Sequence, residues 1–116
     1  MKGSDRHAVA TRLRALLGAQ LEDLAETARE LHVEELSLRL SVDKESPHPT
    51  LEVLLAIVTC YGIDPGYLLT GTYDHATHRK VLEGDHRSTV ETVRELAMEM
   101  GVTGAHRLRD SGELTA

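Results

Sequence analysis

Residues 51–61 carry a single charge, Glu52, and are otherwise built from Leu, Val, Ile, Ala, Thr, Cys and Tyr. Leu51, Leu54, Leu55, Ile57 and Val58 fall at helical spacing, yet the segment lacks the polar back face of a surface helix. It therefore predicts a central helix that other helices must surround. Thr50 ahead of it is an N-cap residue type, and Gly62 behind it is a stop signal. Asp64-Pro65 then reads as an N-cap followed by Pro in the first turn, opening a short helix over 65–70 that Gly71 closes. The material for the core is restricted as well. The chain has no Phe and no Trp, and its aromatics are Tyr61, Tyr67 and Tyr73, so an aliphatic core of the kind found in small helical domains is expected.

The flanking segments carry the same period. Val9, Leu13, Leu16 and Leu17 mark a first helix over about 6–17, with Asp5 as its expected N-cap and Gly18 at its end. Leu21, Leu24, Ala25, Ala28 and Leu31 mark a second over about 20–31, backed by Glu22, Asp23, Glu26, Arg29 and Glu30. Residues 34–42 support two readings. Leu36, Leu38, Leu40 and Val42 alternate as in a strand, while Leu36 and Leu40 also form an i, i+4 helical pair. No second strand-like run is present to satisfy a strand's backbone, which favours a short helix. Pro47 and Pro49 make 43–50 a loop. Beyond Gly71, a polar helix is expected over 74–83. A second follows from Ser88, whose S-x-x-E spacing with Glu91 is that of a capping box, to about Met100. The fold class expected is all-α, with a domain over 6–71, a helical extension over 72–101 and a flexible tail over 102–116.

Charge and motif content narrow the function classes. The net charge is −6, but residues 1–20 are basic through Lys2, Arg6, Arg12 and Arg14. Residues 21–45 set eight acids against Arg29, Arg39 and Lys44. The local patch, not the total, sets the field a nucleic acid meets. No apolar run reaches eighteen residues, so no membrane span is expected, and residues 1–7 carry no signal-peptide core. A cytoplasmic protein is expected. The single cysteine, Cys60, allows no internal disulfide or Cys-based zinc finger, and reads as a small buried apolar group. Nucleophile elbow, P-loop and H-E-x-x-H patterns are missing, so neither an enzyme nor a cofactor is expected. His75 and His78 stand i, i+3 near Asp74, Glu83, Asp85 and His86, a spacing that dictates no tetrahedral metal set, so no metal is expected.

Pro49-Thr50-Leu51-Glu52-Val53-Leu54-Leu55-Ala56-Ile57-Val58 and Tyr61-Gly62-Ile63-Asp64-Pro65-Gly66-Tyr67-Leu68-Leu69-Thr70-Gly71 resemble the closing half of the Cro/CI-repressor-like, or XRE, helix-turn-helix family. That family reads P-S-L-E-T-L-L, a Leu-Gly-Val step, then L-L-x-G. Arg12-Leu13-Arg14 and Leu24-Ala25-Glu26 resemble its first and second helices. The resemblance spans 12–71, about half the chain. It implies a five-helix lambda-repressor-like DNA-binding domain, with the second helix of the motif in the major groove. In this chain the turn is Leu31-His32-Val33 where the family places glycine. The recognition segment opens with Glu34-Glu35, and Val42-Asp43 stands where a terminal glycine usually lies.

On that resemblance the expected function is a DNA-binding transcriptional regulator, acting as a homodimer on double-stranded DNA and nucleoid-associated. Ser37 and Arg39 are the expected base-edge groups, with Ser41 and Lys44 near the groove wall. Thr50 offers its hydroxyl and neighbouring N–H groups to a phosphate, beside Gln20 and His48. Arg12 and Arg14 add basic charge if their face turns towards DNA. Arg39, with Glu35 and Asp43 each four residues away, fits an intramolecular ion pair equally well. The stripe Val90, Val93, Leu96, Ala97 and Met100 is the expected dimerisation surface, because a complete five-helix domain leaves it uncovered. A second class remains open: a protein-interaction module that kept the scaffold and lost DNA binding, meeting another protein through the acidic face.

Overall fold

Aliphatic residues at helical spacing do produce helices throughout. The computed structural model describes residues 3–101, and every regular element among them is helical. In chain order these are α1 (Gly3–Leu17), a 3₁₀ segment (Gly18–Glu22), α2 (Leu24–Leu31), α3 (Glu35–Val42), α4 (Leu51–Tyr61), α5 (Pro65–Thr70), α6 (His75–Leu82) and α7 (His86–Glu99). The all-α class is therefore observed, and no helix among the described residues is long and apolar enough to cross a membrane. The tail expected over 102–116 lies outside the described residues.

Residues 51–61 form the expected central helix. Val53, Leu54, Ile57 and Val58 on α4 have no exposed surface and pack with Val9, Leu13, Leu38, Leu68 and Leu69 from the surrounding helices. Thr50 caps α4 by accepting the Val53 N–H at 3.3 Å. Gly62 ends it at φ 63°, a left-handed conformation that glycine adopts without a Cβ penalty.

Three helix starts differ from expectation, two of them because a nearby carboxylate settles the cap. Asp5 lies inside the first turn of α1, where its charge suits the helix dipole, instead of preceding it. The expected helix over 20–31 is broken at Asp23, whose side chain accepts the Glu26 N–H and starts α2 afresh. Asp85 accepts the Ser88 N–H at 3.1 Å and starts α7 at His86, so Ser88 lies within the first turn and is not the cap.

Residues 72–101 are not an appendage. α7 lies against α4, α5 and α6, and its Val93 and Ala97 are completely buried in the common core. The expectation that a second subunit covers this stripe is corrected for these two residues. Their own chain covers them, while Val90, Leu96 and Met100 remain half-buried. The joint between the two parts is Asp64, which is 3% exposed. Its carboxylate caps α5 through the N–H groups of Gly66 and Tyr67, both at 3.0 Å. The same carboxylate accepts the Asp74 N–H at 2.6 Å and the Thr77 hydroxyl, which anchors α6. Gly66 permits this approach, since a Cβ there would stand 2.9 Å from the Asp74 Cβ.

Candidate nucleic-acid interface

Two short helices meet at a tight turn on one side of the molecule. α2 packs on α3, and the chain reverses through His32, Val33 and Glu34. His32 occupies the left-handed region at φ 60° as the C-cap of α2, and its N–H bonds to Ala28 and Arg29 carbonyls. Histidine takes on the backbone conformation that glycine would adopt more cheaply. Leu38 and Val42 anchor α3 in the core, leaving Glu34, Glu35, Leu36 and Arg39 exposed. Leu36 is 66% exposed.

The residues expected on this surface divide into exposed and structural groups. Arg39, Lys44 and half-buried Ser37 lie on or beside the outer face of α3. Arg39 is paired with Glu35, its Nε 2.8 Å from the carboxylate, so the ion-pair alternative raised by the spacing is the one observed. Ser41 does not belong to the surface. It has no exposed area, donates to the Ser37 carbonyl at 2.8 Å and accepts the Thr50 N–H at 3.1 Å. That hydrogen bond also removes the Thr50 N–H from any phosphate, and the Thr50 hydroxyl oxygen is already the α4 cap. Gln20 is exposed but engaged within the fold. Its Oε1 accepts the Tyr61 hydroxyl, and its carbonyl accepts the Thr27 hydroxyl at 2.9 Å. Desolvation by burial raises the Tyr61 pKa, and the hydrogen bond to Gln20 offsets part of that rise. His48 holds the 43–50 loop through its N–H to the Leu40 carbonyl at 2.7 Å, with its ring 3.3 Å from the Ser46 hydroxyl.

Neither basic residue of Arg12-Leu13-Arg14 turns towards this face as a free charge. Arg12 reaches α5, where Nε donates to the Leu68 carbonyl at 2.7 Å and a terminal nitrogen donates to the Leu69 carbonyl at 3.3 Å. Desolvation lowers its pKa, offset in part by Tyr67 and Asp5. Arg14 donates to the Val42 and Asp43 carbonyls at 2.9 and 3.3 Å, satisfying the end of α3 where a terminal glycine was expected. Both arginines occupy orphan carbonyls at helix C-termini, a role that sequence spacing alone does not reveal.

The outer face is consequently acidic. Glu34, Glu35, Asp43 and Glu45 are exposed against Arg39 and Lys44, and Asp43, Lys44 and Glu45 border a shallow hollow shared with Leu24, Arg39 and Val42. On α2 the other base, Arg29, is paired with Glu26 at 2.8 Å. Elsewhere, Cys60 is exposed near the end of α4, correcting its expected burial. His78 bridges the Gly62 carbonyl and the Tyr73 hydroxyl, whereas His75 stands 3.3 Å from the Arg79 guanidinium. Comparison with protein-family models, with curated proteins and with solved structures finds no match for the chain.

Proposed function

We propose that this chain is a DNA-binding regulator of the XRE helix-turn-helix type, with α1–α5 as a lambda-repressor-like domain acting in pairs on duplex DNA. The observation that carries the reading is the α2–turn–α3 arrangement, in which α3 is anchored by Leu38 and Val42 and presents its opposite face to solvent. Such a helix fits the major groove, and its outward residues meet base edges. The Glu35–Arg39 pair does not block contact. Its side chains are 43% and 55% exposed, and an exposed i, i+4 pair is worth only about 0.3–0.5 kcal/mol. A bidentate arginine–guanine contact offers about 1–3 kcal/mol of discrimination, so the groove wins the competition for Arg39.

The acidic rim shapes the mode of binding. With Arg39 committed to a base edge, Lys44 is the base on the face left for phosphate, about one charge per copy, so a pair of copies should make log affinity fall with log salt at a slope of about −2. Fluorescence anisotropy with duplex DNA pools, from low to physiological salt, tests this. Measurable binding with a shallow slope supports the proposal, and no binding at the lowest salt refutes it. The second reading, a protein-interaction module, is favoured by a separate observation: the exposed Leu36 stands beside Glu34 and Glu35, while Arg12 and Arg14 are consumed as caps. It predicts the null DNA result.

A further inference from the structure

Resting on the DNA-binding reading, we infer that α3 selects a pyrimidine carrying a 5-methyl group next to a guanine, with Leu36 on the methyl and Arg39 on the guanine. Leu36 is 66% exposed beside the exposed Glu34, Glu35 and Arg39, and Arg39 lies three residues further along the same helix. Residues three apart share a helix face. Their axial separation is about 4.5 Å, close to one base-pair step of about 3.4 Å, so the two side chains reach adjacent pairs. In the major groove the apolar feature of a base pair is the thymine methyl, which an aliphatic side chain contacts, whereas guanine O6 and N7 accept the two parallel donors of arginine. Glu35 completes the set. Without DNA it accepts from Arg39 Nε at 2.8 Å and from a terminal nitrogen at 2.5 Å, and once guanine takes the guanidinium the carboxylate can accept a cytosine N4–H on the paired strand.

This division of labour also gives the exposed leucine a use that the fold does not. Leu38 and Val42 already anchor the helix, and Leu36 is not part of the core. A face poor in phosphate-binding bases depends more heavily on base edges for its affinity, and a methyl contact requires no charge. Thymine and 5-methylcytosine present the same methyl group, and the test separates them.

The experiment enriches binding sites from a random duplex library with the full chain, then rebuilds the enriched site with single-atom-group changes. Replacing the critical thymine by deoxyuridine removes only the methyl. Wild-type protein should lose about fourfold in affinity, the value of one buried methyl-sized group. Leu36→Ala, which alters an exposed position and leaves the core intact, should bind both duplexes equally. Exchanging cytosine for 5-methylcytosine at the same position should restore the loss if any pyrimidine methyl suffices; a gain for thymine alone assigns the source to thymine. Equal wild-type affinity for the thymine and deoxyuridine sites overturns this inference and leaves DNA binding standing. Failure of any duplex to bind overturns both.

Discussion

Ser41→Ala separates a structural role from a DNA-contacting one. Ser41 Oγ joins the last turn of α3 to the first residue of the α4 cap: it donates to Ser37 at 2.8 Å and accepts from Thr50 at 3.1 Å. Alanine keeps the helix and fits the space, so no steric cost arises. The loss is the acceptor of the Thr50 N–H. A stranded buried donor costs about 1–3 kcal/mol, and because Thr50 is half-buried and water can reach its side, about 1 kcal/mol is expected. For a domain of this size that is a fall in melting temperature of about 4–8 °C. Far-ultraviolet circular dichroism under urea and heat suits a chain without tryptophan. Anisotropy on DNA, measured well below the melting range, should be nearly unchanged. Unaltered stability combined with lost DNA affinity would refute the reasoning and return Ser41 to the interface.

Three further outcomes follow from the same geometry. His32→Gly relieves a left-handed histidine at an exposed C-cap and should stabilise the fold by about 0.5–1 kcal/mol, read from the urea midpoint. Ending the chain at Gly71 removes Val93 and Ala97 from the core, worth about 2–3 kcal/mol of apolar burial, and deprives Asp64 of the Asp74 N–H and Thr77 donors. The shortened chain should therefore be much less stable than the full one; equal melting temperatures would show an autonomous five-helix unit. For Asp85, the Ser88 backbone N–H, and then the Ser88 side chain, hold the carboxyl below its ordinary pKa. A depressed folded-state pKa contributes stability above the ordinary carboxylate range that is lost as pH falls through the folded value. Asp85→Ala should thus be less stable than wild type near neutrality, and the two should converge in acid. A pH-independent gap would contradict that assignment.

The apolar spacing carried most of the helices, because burial of one face is a property of sequence period. It located α4 and α5 completely, since Thr50, Gly62, Asp64-Pro65 and Gly71 are local signals read by local backbone geometry. Cap identity was harder where two candidates competed. Asp23 stands three residues before Glu26, a cap spacing present in the sequence that the longer apolar period concealed. The surface was less legible still. Whether an arginine is free depends on which helix end lies within reach of its fork, and Arg12 to Leu68 spans 56 positions of chain. Burial of Ser41 likewise follows from the packing of the 43–50 loop against α3, which no period reports. The fate of Val93 and Ala97 depended on where α6 turns the chain, and the Asp64 carboxylate makes that turn from ten positions away.

On the DNA-binding proposal, the charge distribution makes one copy insufficient. On the proposed face, Arg39, Leu36 and Glu35 supply at most three base contacts, a gross total of roughly 3–7 kcal/mol, which corresponds to millimolar to around ten micromolar affinity. In a basic helix-turn-helix protein phosphate contacts would add to this, but Arg12 and Arg14 are occupied by the Leu68, Leu69, Val42 and Asp43 carbonyls. Affinity must then come from a second recognition helix, placed one turn of DNA away by a two-fold arrangement. Val93 and Ala97 cannot provide that contact, being sealed in their own core. A pair formed on the duplex itself meets the requirement, and it makes a definite prediction: the chain should sediment as a monomer alone and as two copies on a DNA bearing two half-sites. One copy bound at saturation to such a duplex would show that pairing supplies none of the affinity.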